Sequence, residues 1–539
     1  MSLRSKVTLL CVLCILYLFV FTLPSLHSSQ TIKETIEPSW RWQYDSDHAS
    51  ASRPVQPPYR SPPPSDNSIE SSIITTTITT STTTKNSLHN DNTNNDDFER
   101  SNLDPNEKFI TFFTHSGFQN QLIQVENGIL LAWYLNRTLI LPRALLGEAF
   151  GWSYFGKLHL EHMLHDPIQD ISMPEDTCEF YADDLSFWDI QCPDRTRYAV
   201  MPFDEIFDLS WAKQHVRIVL RERSDFEWLD EKYNIKRGGH DVPELGNGSY
   251  VDGDILFFKG DTRYDWRIFD TPRKSHRLGK YANGLDIYQL RKRKEKLIHF
   301  SSLFGTGKLP IRRPEHYTFL HTLQRSIIYR HPVVLNVADQ IVNVLGGAGN
   351  FIGLHVRSSD GWFVKALPEN IYNIVLQINK ELESRSISSQ SEMMMNLAPG
   401  SREQEEAIER QFLQQHKLDL QQCLDLAKEK RATLIYMATD ARSPRSNPAF
   451  DPIWSRYPCT FTMDDLLVPS SPFWNELDSV VDSSTGSSMR KFLLPLVDAT
   501  IASRGWFFIG SKGSTFSGYI YRLHDVYWAN AKMEQRIQS

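Results

Sequence analysis

The sequence predicts an α/β protein: two Rossmann-like lobes facing across a cleft, carried behind an N-terminal transmembrane anchor and a disordered stem. Three observations predict it. Short β-prone runs alternate with helical periodicity from near residue 108, and again from near residue 351. A long apolar run opens the chain. A polar stretch without core-forming pattern separates that run from the first strand. The whole-chain figures fit. Among 539 residues, 40% are hydrophobic, enough for real cores. The net charge of -7 lacks the basic excess of a nucleic-acid binder.

Arg4 and Lys6 precede an apolar run from Val7 to Leu23, closed by Pro24. At about 1.5 Å per residue the run spans roughly 25 Å, enough for a thin bilayer. A cleaved signal peptide would show a shorter core and a small-residue cleavage site, and Pro24-Ser25-Leu26-His27 supplies none. The reading is therefore an uncleaved signal anchor over 7–24. Residues 1–6 are cytosolic, and the rest is luminal by the positive-inside rule. Residues 25–107 form the stem. Pro54, Pro57, Pro58, Pro62, Pro63 and Pro64 stiffen it, and Ser71 to Thr84 is almost entirely hydroxylated. An O-glycosylated stalk and a bare linker both fit this composition. Of the six cysteines, Cys11 and Cys14 lie in the anchor. Cys178, Cys192, Cys423 and Cys459 are luminal candidates for Cys178–Cys192 and Cys423–Cys459 disulfides. Asn136 and Asn247 open glycosylation sequons.

The first lobe is assigned to 108–340. Phe109 to Phe113 reads as a strand, Thr114 to Gly117 as a loop, and Gln119 onward as a helix with Leu122, Val125, Ile129 and Trp133 on one face. Leu139 to Leu141 is the next strand, completing a βαβ unit. The second lobe is assigned to 341–539. Phe351 to Val356 is its first strand, a helix covers Pro368 to Leu382, and Glu403 to Lys430 is helical. Thr433 to Ala438 and Trp506 to Ile509 are further strands, and Ser514-Thr515 caps the closing helix.

Ligands of parallel sheets sit beyond the carboxyl ends of the strands, so the residues there carry the chemistry. After the first strand comes Ser116-Gly117-Phe118-Gln119-Asn120, a glycine turn into a helix N-terminus that suits an anion. An ordinary capped turn is the plain alternative. His355-Val356-Arg357-Ser358-Ser359-Asp360 follows the strand of the second lobe. Arg357 can fork onto a diphosphate, or pair structurally with Asp360. Asp440 ends the next strand, positioned to accept from a base or ribose, or to cap a helix. Gly510 to Ser517 is a second glycine- and hydroxyl-rich cradle in which Phe516 can cover a base. Asp252-Gly253-Asp254 matches a metal-binding Asp-x-Asp element, but precedes a strand instead of following one, and no metal is assigned to it.

Together these blocks resemble the GDP-fucose-dependent fucosyltransferase superfamily, which includes protein O-fucosyltransferases and the α1,2- and α1,6-fucosyltransferases. The resemblance covers roughly residues 108–530 and rests on five blocks in order. They are Gly117–Gln121 with Leu135–Pro142, Phe203–Asp208, His355–Arg357 with Asp360, Ala438–Asp440, and Phe508–Gly510 through Ser514–Phe516. It implies a GT-B fold, an inverting mechanism, GDP-fucose as donor, and no required metal or cofactor. By motif match Arg357 contacts the β-phosphate, His355 lines the nucleotide site, and Gly117, Phe118 and Asn120 lie near the phosphates or sugar. Asp440, Ser514, Thr515 and Phe516 hold the guanosine. Three positions depart from the pattern. Gly117 stands where one type of protein O-fucosyltransferase has arginine. Ser358 stands where the α1,6 and α1,2 branches have a second arginine. No glutamate occurs from Asp360 to Lys365, which leaves Asp360 as the candidate base.

The expected function is therefore an inverting fucosyltransferase of the secretory pathway. It would be single-pass type II in the Golgi membrane, acting on a protein or glycan hydroxyl, without nucleic acid. A transferase using another nucleotide sugar and a stalked glycan-binding surface protein are the alternatives. The charge divides accordingly. Residues 1–107 hold 8 Lys+Arg against 12 Asp+Glu, and the remaining 432 hold 50 against 53. The folded part is nearly neutral, so function rests on a few placed cations and not on a global field.

Overall fold

The computed structural model describes residues 104, 106–147, 151, 154–163, 165–166, 198–239, 249–260, 264–272, 277–359, 361–393, 418–467, 471–482 and 485–538. The expected anchor, nearly all of the expected stem, Cys178, Cys192, Asn247 and Asp360 lie outside the described residues. Among the described residues no helix is long and apolar enough to cross a membrane.

The first lobe contains β1 (Phe109–Phe112), α1 (Phe118–Leu135), β2 (Thr138–Leu141), β3 (Ala144–Gly147), α2 (Phe155–Met163), β4 (Tyr198–Met201), α3 (Phe203–Ile206), α4 (Ser210–His215), β5 (Ile218–Leu220) and α5 (Phe226–Tyr233). It continues with β6 (Ser249–Asp252), β7 (Ile255–Phe258), β8 (Trp266–Phe269), β9 (Asn283–Asp286), α6 (Ile287–Arg291), β10 (Leu297–Phe300) and α7 (Pro314–Ser326). Its main sheet has the order β5-β2-β1-β10-β7-β6, parallel except for β6. β1 reads as continuous apolar sequence because both sheet faces are covered. Ile110 and Phe112 face one core with α1, whereas Phe109 and Phe113 face a second with Phe155 and Trp228.

The second lobe opens with α8 (Pro332–Val344), β11 (Ile352–Val356), α9 (Gly361–Met393), α10 (Leu420–Lys428) and β12 (Ile435–Thr439). Then follow α11 (Asp451–Arg456), β13 (Thr460–Phe461), α12 (Met463–Leu466), α13 (Phe473–Asp478), α14 (Arg490–Ser503), β14 (Phe507–Gly510) and α15 (Thr515–Gln538). The sheet order is β13-β12-β11-β14, all parallel. α8, most of which the sequence assigns to the first lobe, packs against α14. Cys423 and Cys459 are joined by a disulfide that ties α10 to the chain entering β13.

Side-chain alternation along β11 decides what packs where. Ile352, Leu354 and Val356 face the core that receives Leu367, Ile371, Ile374, Val375 and Ile378 of α9, each worth about 2 kcal/mol of burial. Gly353 and His355 face the other way, toward α14 and α15. A Cβ on Gly353 would lie 1.9 Å from the Ala502 carbonyl oxygen, so the end of α14 can approach only a glycine. Gly353→Ala should cost about 3 kcal/mol or more, read as a lower urea midpoint at unchanged m-value. An unchanged midpoint would show that α14 shifts freely.

α9 starts seven residues before the Pro368 at which the sequence places its beginning. Pro368 sits in the helix on its exposed face, four residues after the half-exposed Val364, so water can reach the Val364 carbonyl that lacks its usual donor. The last helix returns to the first lobe. Tyr519 donates to the Ile327 carbonyl, and its ring meets Tyr329 at 5.1 Å and Phe207 at 5.9 Å. Arg522 pairs with the buried Glu126 of α1, which also accepts from Gln324 of α7 at 3.0 Å.

Candidate functional site

Parallel register places the chemistry. Val356 stands opposite Thr439, and His355 stands opposite both Ala438 and Gly510. The next residues along, Arg357 and Asp440, therefore meet at one level beyond the carboxyl ends of β11 and β12, with Ser511 after β14 one position before them. Asp440 is the hub. One carboxylate oxygen accepts from the Ser358 amide at 2.7 Å and the Ser358 hydroxyl at 2.8 Å. The other accepts from the Ser359 hydroxyl at 2.5 Å and lies 3.1 Å from Arg357 Nε. Burial pushes the Asp440 carboxyl up, but the Ser359 hydroxyl, the Arg357 guanidinium and Ser358 outweigh it and hold the group below the ordinary carboxylate range. Asp440 is thus ionised and fixes Arg357, whose side chain remains 30% exposed.

The loop after β14 is stitched to β11. The Ser511 amide donates to the His355 carbonyl at 3.0 Å, and the Ser511 hydroxyl accepts from the Arg357 amide at 3.0 Å. His355 Nδ1 lies 2.7 Å from the Ser517 hydroxyl, and Phe516 meets the imidazole edge-on at 5.0 Å. Burial drives the His355 pKa down to about 4, so the ring is neutral at neutral pH. Gly513 turns with φ +79, and a Cβ there would lie 3.1 Å from the Trp362 ring, itself about half exposed at the start of α9. Ser514 caps α15, its hydroxyl accepting from the Ser517 amide at 3.2 Å. The helix N-terminus then points its partial positive charge at the edge where Arg357 sits.

In the first lobe the loop after β1 is tightly held. His115 is fully buried, with its ring nitrogens 2.8 Å from the Ser116 hydroxyl and 2.7 Å from the Ser302 hydroxyl. The expected glycine turn is displaced by one residue. Ser116 takes the left-handed conformation, φ 69, while Gly117 has φ -59 and starts α1. Such a conformation in a non-glycine residue is held by its surroundings. Here Gln121 donates to the Ser116 carbonyl at 3.1 Å. Phe118 stacks with Phe207 at 5.5 Å and so packs the seam with α15. The half-buried Asn120 side chain makes no hydrogen bond among the described residues, while its backbone N–H donates to the Gly117 carbonyl at 2.8 Å. The block Phe203–Asp208 supplies Phe203 and Phe207 to this stack.

The structure thus unites His355, Arg357, Asp440, Ser514, Thr515 and Phe516 on one edge. Gly117, Phe118 and Asn120 lie on the other lobe, and Phe118 reaches α15 through Phe207 and Tyr519. Sequence reading missed Ser511 and Ser517, which bind the loop to β11, and His115 with Ser302. The run Ser511 to Ser517 was legible as hydroxyl-rich, but which hydroxyls serve the protein itself depends on register. Asp252 and Asp254 lie at a hairpin turn. Asp252 accepts from Arg237 at 2.7 Å and from the Gly238 amide at 2.6 Å, and Asp254 accepts from the Lys236 amide at 2.9 Å. Asn136 is exposed in the left-handed C-cap of α1, but Thr138 of its sequon is buried.

No family model matches the chain, and no curated protein matches it. Among solved structures the chain is similar to POFUT1 in complex with GDP-fucose, at 12% identity and TM-score 0.33, over 79% of this chain and 95% of that one. It is also similar to the NodZ α-1,6-fucosyltransferase soaked with GDP-fucose, at 11% identity and TM-score 0.32, over 77% and 92%. A third is the selenomethionine form of fucosyltransferase NodZ from Bradyrhizobium, at 12% identity and TM-score 0.33, over 77% and 91%. The assignment of two parallel-sheet lobes stands on the chain's own strand order, without support from likenesses this low.

Proposed function

We propose that this protein is an inverting glycosyltransferase that moves fucose from GDP-fucose to a protein or glycan hydroxyl, without a required metal. One observation carries the reading: Arg357, fixed by an ionised Asp440, shares a strand edge with the N-terminus of α15. Both offer positive charge where a departing diphosphate would gather negative charge. The five ordered sequence blocks supply the choice of GDP-fucose. Phe516 and Ser514 lie beside that charge, in reach of the nucleoside. The anchor and stem support a type II protein of the Golgi membrane with its catalytic lobes in the lumen.

Thermal-shift profiling tests the donor. GDP and GDP-fucose should raise the melting temperature, and UDP-sugars should not. A response to UDP-sugars alone would replace the donor assignment with another nucleotide sugar, and no response to any nucleotide would remove the transferase reading.

A further inference from the structure

A cavity of about 110 Å³ lies between the segment that joins the lobes and helices α8, α14 and α15. That volume exceeds what a single water needs. Leu335, Leu523, Val526 and Tyr329 give it apolar walls, and Arg504 and Tyr527 bring a cation and a ring. Arg504 caps α14 and precedes β14, so it lies toward the amino edge of the sheet, the end away from Arg357.

Arg504 is unusually placed for a structural arginine. Its Nε is enclosed and has no hydrogen-bond partner among the described residues. Its nearest carboxylate, Asp339, is 60% exposed and 3.8 Å from Nη2. The Tyr527 ring lies 3.8 Å beneath the guanidinium and covers one face, while the side chain as a whole remains 17% exposed. A helix C-terminus favours a cation there, which accounts for the charge but not for the unmet donor or the cavity. Buried donors are nearly always satisfied, and a guanidinium edge matches a carboxylate in two-point geometry.

We propose that this cavity binds a small organic monoanion, a carboxylate on a short apolar body. The carboxylate meets the Arg504 edge, and the body lies against Leu335, Leu523 and Val526. The site is separate from the donor edge. It abuts Tyr329, which accepts from Gln119 of α1, so its occupant touches the joint between the lobes.

The test is thermal unfolding of the full-length chain in sodium butyrate and sodium benzoate, against sodium chloride at equal ionic strength. At on the order of ten times Kd, the carboxylates should raise the wild-type Tm by about 2 °C. The rise should disappear in Arg504→Gln, which loses the charge, and in Leu335→Phe, which fills the cavity. It should persist in Arg357→Ala, which removes the competing cation of the donor edge. No rise in the wild type overturns the proposal and leaves water as the occupant. A rise kept in Leu335→Phe, or lost in Arg357→Ala, also overturns it. Should Arg504→Gln fail to fold, Leu335→Phe decides alone.

Discussion

Arg357→Ala should lower fucosyl transfer by about 10²- to 10³-fold while leaving the fold intact. The loss should fall on kcat, because the guanidinium meets charge that develops as the diphosphate departs. The fold should survive because Asp440 keeps its Ser358 and Ser359 donors. The lost Arg357–Asp440 pair is partly exposed and worth about 1 kcal/mol or less. Arg357→Lys keeps the charge without the fork and should recover only part of the rate. Steady-state kinetics beside a melting curve separate the two effects. Full turnover in Arg357→Ala would remove this residue from the chemistry.

Glu126→Ala should destabilise the protein by about 3–5 kcal/mol. Glu126 is buried in α1 and holds both Arg522 of α15 and Gln324 of α7. Removing it strands a largely buried guanidinium at the seam between the lobes. Replacing both partners, Glu126→Leu with Arg522→Leu, should restore most of the loss, since no unpaired charge is then left. Urea unfolding of the single and double variants measures both. A single variant as stable as the wild type would show that α15 is held to the first lobe by Tyr519 and its aromatic neighbours alone.

Much of this architecture was legible because parallel strands buried on both faces are written as continuous apolar runs. Phe109 to Phe112 and Ile352 to Val356 could hardly be anything else. The residues after them could then be read for chemistry, and Arg357, Asp440 and Ser514 do meet on one edge. Partnership was not legible. The sequence offered Asp360, three residues on, as a structural partner of Arg357, and that residue lies outside the described ones; parallel register also brings Asp440 to Arg357 from another strand, which no local spacing announces. The glycine of the first turn drew attention to Gly117, yet the positive φ belongs to Ser116, whose carbonyl accepts from Gln121 and whose hydroxyl meets His115. Pro368 looked like a helix start because local rules place proline there. Its position on the exposed face lets α9 run through it. The return of α15 to the first lobe depends on Glu126 meeting Arg522 across 396 positions, which no local pattern encodes.

The most direct measurement is hydrogen–deuterium exchange with and without GDP. The account predicts slower exchange in Arg357–Ser359, Asp440–Arg442 and Ser511–Ser517, with the amino edge around Arg504 unchanged. Protection confined to the first lobe or to the Arg504 edge, with none after β11, β12 and β14, would contradict it.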